Sequence, residues 1–492
     1  MQTSNQAGPG AAIGRREFLH RSVAAAGALS LPAVVRARAP GANSDIRLAV
    51  LGLNGKGNAH INDFRKLPGV RIAAVCDPDR SLLARERDEA KKLGQDLAVH
   101  TDLRKLYESP EIDAVCIATP NHWHSLAAIW ACQAGKDVYV EKPVSHNIFE
   151  GRRLVETAAK TGRIVMAGTQ NRSNAGLRAA VEYVRSGQLG KIRVVRGFCY
   201  KRRASIGKVA GPQPVPADVD YDLWCGPAPK GPLMRSKLHY DWHWVWETGN
   251  GDIGNQGIHE LDLCRWFLGN VPPAPRVMCA GGRYGYDDDA TTPNTQIAFY
   301  DFAEAPVVFE VRGLPAKSGM ETMDHYRGVR VGLVVECEKG YYAGGQGGGW
   351  VYDNDGAKVK QFAAEGTGDH DLHFIEAVRS RDPKHVTAPI ECGHMSSALP
   401  HLANISYRLG ADRRPEAVRE QMQGLPGALD AFDRFREHAV ANGVDLGKDQ
   451  VVLGPMLAFD AATETFTGET AAAANKFLSR EYRAPFIVPE KV

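Results

Sequence analysis

Apolar residues in the first third of the chain come in short unbroken runs with amphipathic stretches between them. "IRLAVLG" (Ile46–Gly52), "VRIAAVCD" ending at Asp77, "DAVCIATP" (Asp113–Pro120), "DVYVEKP" and "RIVMAGTQ" each have the length and continuity of a strand buried on both faces. Between them the pattern predicts a helix from Asn58 to Leu67, stopped by Pro68-Gly69. It predicts further helices over "SLLARERDEAKKLG", "HSLAAIWACQAG" and "IFEGRRLVETAAKTG". Strand and helix alternate at βαβ spacing, which predicts an α/β fold with an N-terminal Rossmann, doubly wound parallel sheet over 46–170.

After Arg172 the texture changes. "SNAGLRAAVEYVRSGQLG" reads as a helix with a glycine stop. Longer strand candidates follow, "KIRVVRGFCY", "VMCAGGRYGY", "TQIAFYDFA" and "PVVFEVRGL", separated by loops. They predict a C-terminal α/β domain with an open, mostly antiparallel sheet over 171–415. "GGQGGG" (Gly344–Gly349) reads as a loose loop. In "IECGHMSSALPHLANISYRLG", His394 and His401 fall on one face of a helix that would line a cleft. Residues 416–492 form a C-terminal extension that would brace an oligomer or cover a site. No internal repeat is visible.

Charge narrows the partners. The 60 basic and 57 acidic residues nearly cancel, which argues against nucleic acid bound through bulk charge. No long apolar run follows residue 40, so no integral membrane segment is expected. Nine cysteines are scattered without a C-x-x-C pair and read as buried thiols. The N-terminus differs. Arg15-Arg16, Phe18-Leu19, a mild apolar run from Val23 to Val35 and Ala37-Arg38-Ala39 read as a twin-arginine signal peptide over 1–39. That expectation places the mature protein in the periplasm, exported already folded and able to carry a soluble cofactor with it.

The cofactor is suggested by "AVLGLNGKGNAH". In a dinucleotide turn the first glycine allows a tight bend, the second lets the backbone approach the pyrophosphate, and the third lets helix and strand pack. Those positions hold Gly52, Asn54 and Gly57, with Gly55 beside the substituted one. Asn tolerates left-handed dihedrals better than most residues. Asp77 ends the second strand, where a carboxylate accepts from a ribose 2′-hydroxyl and repels a 2′-phosphate. NAD is therefore expected rather than NADP, although Arg80 lies close by.

With "ATPNHWHSLAA", "VYVEKPVS" and "GNQGIHELDLCRWFLG", the chain resembles the glucose–fructose oxidoreductase / inositol dehydrogenase (Gfo/Idh/MocA) family over 46–415. "YDLWCGPAP" and "DWHWVWETGNGDIGNQGIHELD" resemble its export-signal-bearing bacterial branch. The resemblance implies NAD(P) between a Rossmann domain and an open-sheet domain, a small-molecule carbohydrate or polyol substrate, and homo-oligomers formed through open sheets. It places Thr119, Pro120, Asn121, His122 and Glu141 at the cofactor. Lys142 would lie near the nicotinamide ribose and the reacting hydroxyl, where a cation orients the substrate oxygen. It makes His259 the acid/base. Near a helix start, the dipole favours its neutral imidazole. Many relatives have an aspartate four positions before that histidine. Here it is Asn255, which can orient a hydroxyl but not take its proton, so His259 acts alone or with Asp241, His243, Glu247 or Asp252.

"HYDWHWVWETGNGD" places Tyr240, Trp242, Trp244 and Trp246 at period two. As a strand they would share one face, with Asp241, His243 and Glu247 on the other. Trp242, Trp244, His243, Asp252 and Asn255 are thus candidate sugar-binding residues. No metal is expected, because the histidine spacing fits no standard zinc pattern. Three functions are consistent with these residues. The leading one is an NAD-dependent oxidoreductase that takes hydride from a sugar, polyol or sugar derivative. The second is a redox-neutral NAD-dependent glycosidase or lyase, in which transient oxidation allows elimination and hydride then returns. The third is a non-catalytic sugar-binding protein that keeps NAD for structure.

Overall fold

The computed structural model describes residues 45–364 and 369–492; the export-signal expectation over 1–39 lies outside them. The six strands of the first sheet are β1 (Ile46–Leu51), β2 (Val70–Cys76), β3 (Ala98–His100), β4 (Ala114–Ile117), β5 (Asp137–Val140) and β6 (Val165–Ala167). They pair in parallel in the order β3-β2-β1-β4-β5-β6. Apolar continuity explains the burial: β1, β4 and β5 lie between helices on both faces, and Leu48, Val50, Val115, Ile117, Val138 and Val140 are fully buried. β3 escapes the pattern because it has three residues and none is buried. The helix after β1 spans Lys56–Arg65, slightly earlier than its apolar spacing predicts.

The second sheet begins with β7 (Ile192–Tyr200), β8 (Arg276–Gly282), β9 (Thr295–Tyr300), β10 (Val307–Arg312) and β11 (Val331–Cys337). It continues with β12 (Gly340–Gly345), β13 (Gly348–Tyr352) and β14 (Lys358–Ala363). The order is β14-β13-β12-β11-β7-β10-β9-β8, extended by short C-terminal strands. Every pair in that run is antiparallel except β7 with β10, which is parallel. One face packs Val195, Cys199, Phe309 and Val335 against helices Ala175–Arg185, Gly257–Phe267 and Ile390–Arg408.

The structure corrects several expectations. The opposite face is only partly open, because helices Pro415–Met422 and Ala428–Ala441 cover Met278, Ile297, Phe299 and Val308. The final residues turn back to the first sheet, where Phe486 and Val488 join the core. Gly344–Gly349 is not a loose loop but the end of a tight hairpin, with Gln346 and Gly347 outside the strands. Glycine is required there by a neighbour: a Cβ on Gly349 would lie 2.5 Å from the Tyr342 hydroxyl. The 240–246 stretch is not a strand. It has no sheet partner, and Asp241–Trp244 closes a 3₁₀ turn. His394 and His401 do share the helix Ile390–Arg408, but inside the protein: His394 Nε2 lies 2.8 Å from Glu464 and His401 Nε2 lies 3.3 Å from Ser145 Oγ.

Three sealed histidines set an acid limit. His122 Nε2 donates to Trp224 O at 3.0 Å, and His370 Nε2 donates to Ala167 O at 2.9 Å. Burial outweighs these bonds and pushes His122, His370 and His401 down to about 3, about 4 and about 3. An unfolded histidine titrates near ~6.5. Below that pH the unfolded chain takes up protons that the folded chain refuses, so stability falls with acid; above it these groups contribute no pH dependence. Each one costs about 2 kcal/mol at about pH 5 relative to about pH 7. The melting temperature should therefore drop steeply between those two values. A level profile from calorimetry would show that the three rings are not held neutral.

Candidate active site

The connections leaving β1 and β4 run to opposite sides of the first sheet, so a crevice opens beyond their carboxyl ends. It is a cleft of about 620 Å³. One end is lined by Gly52–Lys56, Asp77 and Ala118–Asn121; the other by Lys142, Asn255, Gln256 and His259. Backbone proximity fixes the glycines. Gly52 has φ +81°, and a Cβ on it would lie 2.7 Å from Ala118 O. A Cβ on Gly57 would lie 1.7 Å from Gly52 O, so the third glycine serves strand–helix contact and does not itself line the cleft. Gly55 (φ +55°) faces open space and begins the helix Lys56–Arg65, and exposed Asn54 is accommodated beside it.

Asp77 accepts from Leu53 N at 2.8 Å and from Asp79 N at 2.9 Å, joining the turn to the end of β2. Burial pushes its carboxyl up to about 6 against those two donors. Arg80 is exposed and is not among the lining residues. The features fit NAD: a turn whose Gly52 and Gly55 carry no side chain where a pyrophosphate would approach, and a carboxylate with remaining lone pairs where a ribose diol would lie.

At the other end, Lys142 leaves β5 through a cis Lys142–Pro143 bond, and its Nζ donates to Asn255 O at 2.8 Å. His259 stands in the first turn of the helix Gly257–Phe267. Burial first, and then the Lys142 charge, push it down to about 3, so its imidazole is neutral. Burial also lowers Lys142, with Glu141 and Glu260 acting against it. Burial would raise Glu141, but the bond from His60 (2.9 Å) and the Lys56 charge hold it well below the usual range. Gln170 Nε2 adds a bond to Glu141 at 2.8 Å.

Of the remaining candidates, Thr119, Pro120, Asn121, Trp242 and His243 line the cleft. Trp242 and His243 stack with ring centroids 3.6 Å apart. Three candidates lie elsewhere. His122 is buried behind the wall on Trp224 O. Trp244 is buried, with the Arg203 guanidinium over its ring. Asp252 is buried and takes both its bonds, at 2.9 and 2.7 Å, from Arg203. Other lining residues were not anticipated. Gln170 and Asn171 follow β6 and were findable, since strand carboxyl ends face the crevice. Gln346 arrives from the hairpin tip, and His239 and Tyr240 from the segment that crosses the rim. No local sequence signal marks Gln346 or His239; Tyr240 belongs to the aromatic stretch already singled out.

Two family models match the chain. Residues 46–169 match the oxidoreductase family's NAD-binding Rossmann fold, and residues 177–308 match its C-terminal alpha/beta domain. Among curated proteins, the 2,7-anhydro-N-acetylneuraminate hydratase of Mediterraneibacter gnavus is 27% identical over 48% of this chain and 54% of its own length. The myo-inositol 2-dehydrogenase of Thermotoga maritima is 28% identical over 46% of this chain and 55% of its own. The chain thus spans about half the length of these curated relatives. The WlbA dehydrogenase of Bordetella pertussis, solved with NADH and UDP-GlcNAcA, shares the fold. Its TM-score is 0.53 and its identity 19%, over 73% of this chain and 96% of that one.

Gly57→Ala would drive a methyl group onto the Gly52 carbonyl. It should cost about 1–3 kcal/mol of stability and weaken NAD binding by about tenfold or more, read by thermal unfolding and NAD titration. Wild-type values for both would mean that the turn relaxes at no cost.

Proposed function

The chain belongs to the Gfo/Idh/MocA oxidoreductase family, and from that premise we propose that it oxidises a sugar, polyol or sugar derivative by hydride transfer to NAD. One observation carries the reading. Lys142 and a neutral His259 line the same cleft as the glycine turn and Asp77. Bound NAD supplies the hydride acceptor. His259 takes the hydroxyl proton as the carbon–hydrogen bond breaks, a role that needs an unprotonated ring. Lys142, steered by the Asn255 carbonyl, holds the substrate oxygen and favours charge on it. Asn255 orients that hydroxyl without competing for its proton. Trp242 offers an apolar face to a sugar ring and His243 a polar edge.

The export reading belongs to this proposal. Arg15-Arg16 and the apolar run behind them support passage to the periplasm with NAD already bound, and a homo-oligomer would form through the β12–β14 part of the second sheet. A specific observation favours a redox-neutral variant, in which hydride returns to the sugar after elimination. The rim at Asp77 is closed by Arg80 N donating to Asp218 O and Asp220 N donating to Pro78 O, both at 2.9 Å, and by His239 3.0 Å from Asp79. Contacts at the rim that would slow exchange of a bound dinucleotide suit chemistry that regenerates it in place. The relative named a hydratase belongs to a reaction class without net oxidation.

The test is to purify the protein without added cofactor and mix it with glycosides and free sugars. Nicotinamide absorbance and released products are followed together. NADH formation that stalls after one turnover and resumes with an electron acceptor is expected. Many cleavages without net NADH, with solvent deuterium entering the sugar, would establish the redox-neutral variant instead. No response to any sugar or polyol would overturn both. His259→Ala should lower kcat by about 10²–10⁴-fold; wild-type turnover in that variant would remove the ring from the chemistry.

A further inference from the structure

Three consecutive cations, Lys201, Arg202 and Arg203, leave the end of β7 beside the reaction end of the cleft. Two are matched by carboxylates. Arg202 pairs with Glu321, and Arg203 forms two bonds to Asp252. Lys201 is exposed and has no carboxylate partner among the described residues; its Nζ donates to the side-chain carbonyl of Gln256 at 2.9 Å. Gln256 is a wall of the cleft, and its amide nitrogen donates back to Glu260 at 3.1 Å. The Lys201 charge is felt inside, where it depresses both Lys142 and His259.

The negative groups nearby are already committed. Glu141 is held by His60, Gln170 and Lys56, and Asp252 by Arg203. Glu260 is buried, its Oε2 has no hydrogen-bond partner, and burial pushes it up to about 8. It is therefore mostly neutral at pH 7 and does not balance the lysines. Lys142, like Lys201, donates only to a neutral carbonyl. Such a region attracts an anion and disfavours a cation.

We propose that the substrate is an acidic sugar whose carboxylate is received by Lys201 at the Gln256 side of the cleft. This rests on the sugar-oxidising reading above and narrows it from sugars in general to uronic acids and their glycosides. Gln256, clamped between Lys201 and Glu260, sets where the ammonium group sits. Lys201 is a specificity residue and not part of the proton transfer.

The probe is a set of methyl glycosides of glucose, galactose and mannose, each paired with its uronate. Binding to the NAD-loaded protein is measured by tryptophan fluorescence and calorimetry, and nicotinamide absorbance is read in the same samples. For at least one configuration the uronate should bind about tenfold or more tightly than its neutral partner. Lys201→Gln should bring that ratio close to about one. Arg202→Gln, which removes an equal charge already matched by Glu321, should leave the ratio intact. The proposal is overturned if no uronate outbinds its partner, or if the preference survives Lys201→Gln. The two readings separate cleanly. A neutral sugar that reduces bound NAD with no uronate preference defeats this inference alone. A uronate held through Lys201, with no sugar or glycoside in any assay reducing NAD or being cleaved, defeats the oxidoreductase reading alone.

Discussion

One hydrogen bond, from Lys142 Nζ to the main-chain oxygen of Asn255, connects what the two sheets separately build. Lys142 sits where β5 runs out, on the side of the first sheet where parallel strands expose their carboxyl ends. Asn255 closes the short turn that precedes the helix carrying His259. The bond fixes the distance between a cation given by one sheet and an imidazole given by the other. The contact uses the Asn255 backbone carbonyl, which any residue would supply, and leaves the side chain facing the cleft.

Around that bond the cleft is electrostatically uneven. Burial raises Asp77 and lowers His259, each towards its neutral form. Glu141 goes the other way because His60 and Lys56 surround it. The same low-dielectric setting therefore leaves one carboxylate firmly charged, raises another to about 6 and keeps an imidazole uncharged, according to what each one touches. The Lys142 charge adds to burial in keeping the His259 ring unprotonated.

The first sheet was legible because burial on both faces forces its strands to be continuously apolar, and because the dinucleotide turn imposes glycines at fixed spacing. Gly52 and Gly57 were readable for reasons the geometry reproduces, down to the contact between Gly57 and the Gly52 carbonyl. β3 was not, since three half-exposed residues at a sheet edge carry no pattern. In the second sheet the strands were visible but their order was not. The parallel β7–β10 pairing joins segments far apart in the chain, and local periodicity says nothing of such contacts. The aromatic alternation at 240–246 misled for a related reason. Period two marks a strand only if a neighbour accepts its hydrogen bonds, and here none does.

The segment between β7 and the helix of His259 links both halves of the cleft. It supplies Gln256, to which Lys201 is bonded, at one end and Trp242, His243, Tyr240 and His239 along the wall, and it meets the first domain at Pro78–Arg80. Tyr240 sits at φ 70°, a left-handed conformation costly for a residue with a Cβ. Such a conformation persists only where surrounding contacts determine it, and here the Tyr240 hydroxyl accepts from Arg203, which itself holds Asp252 in place. Asp252 and Trp244, although outside the cleft, therefore act on it through Arg203. They anchor a segment that lines the cleft from the Asp77 side to the Gln256 side.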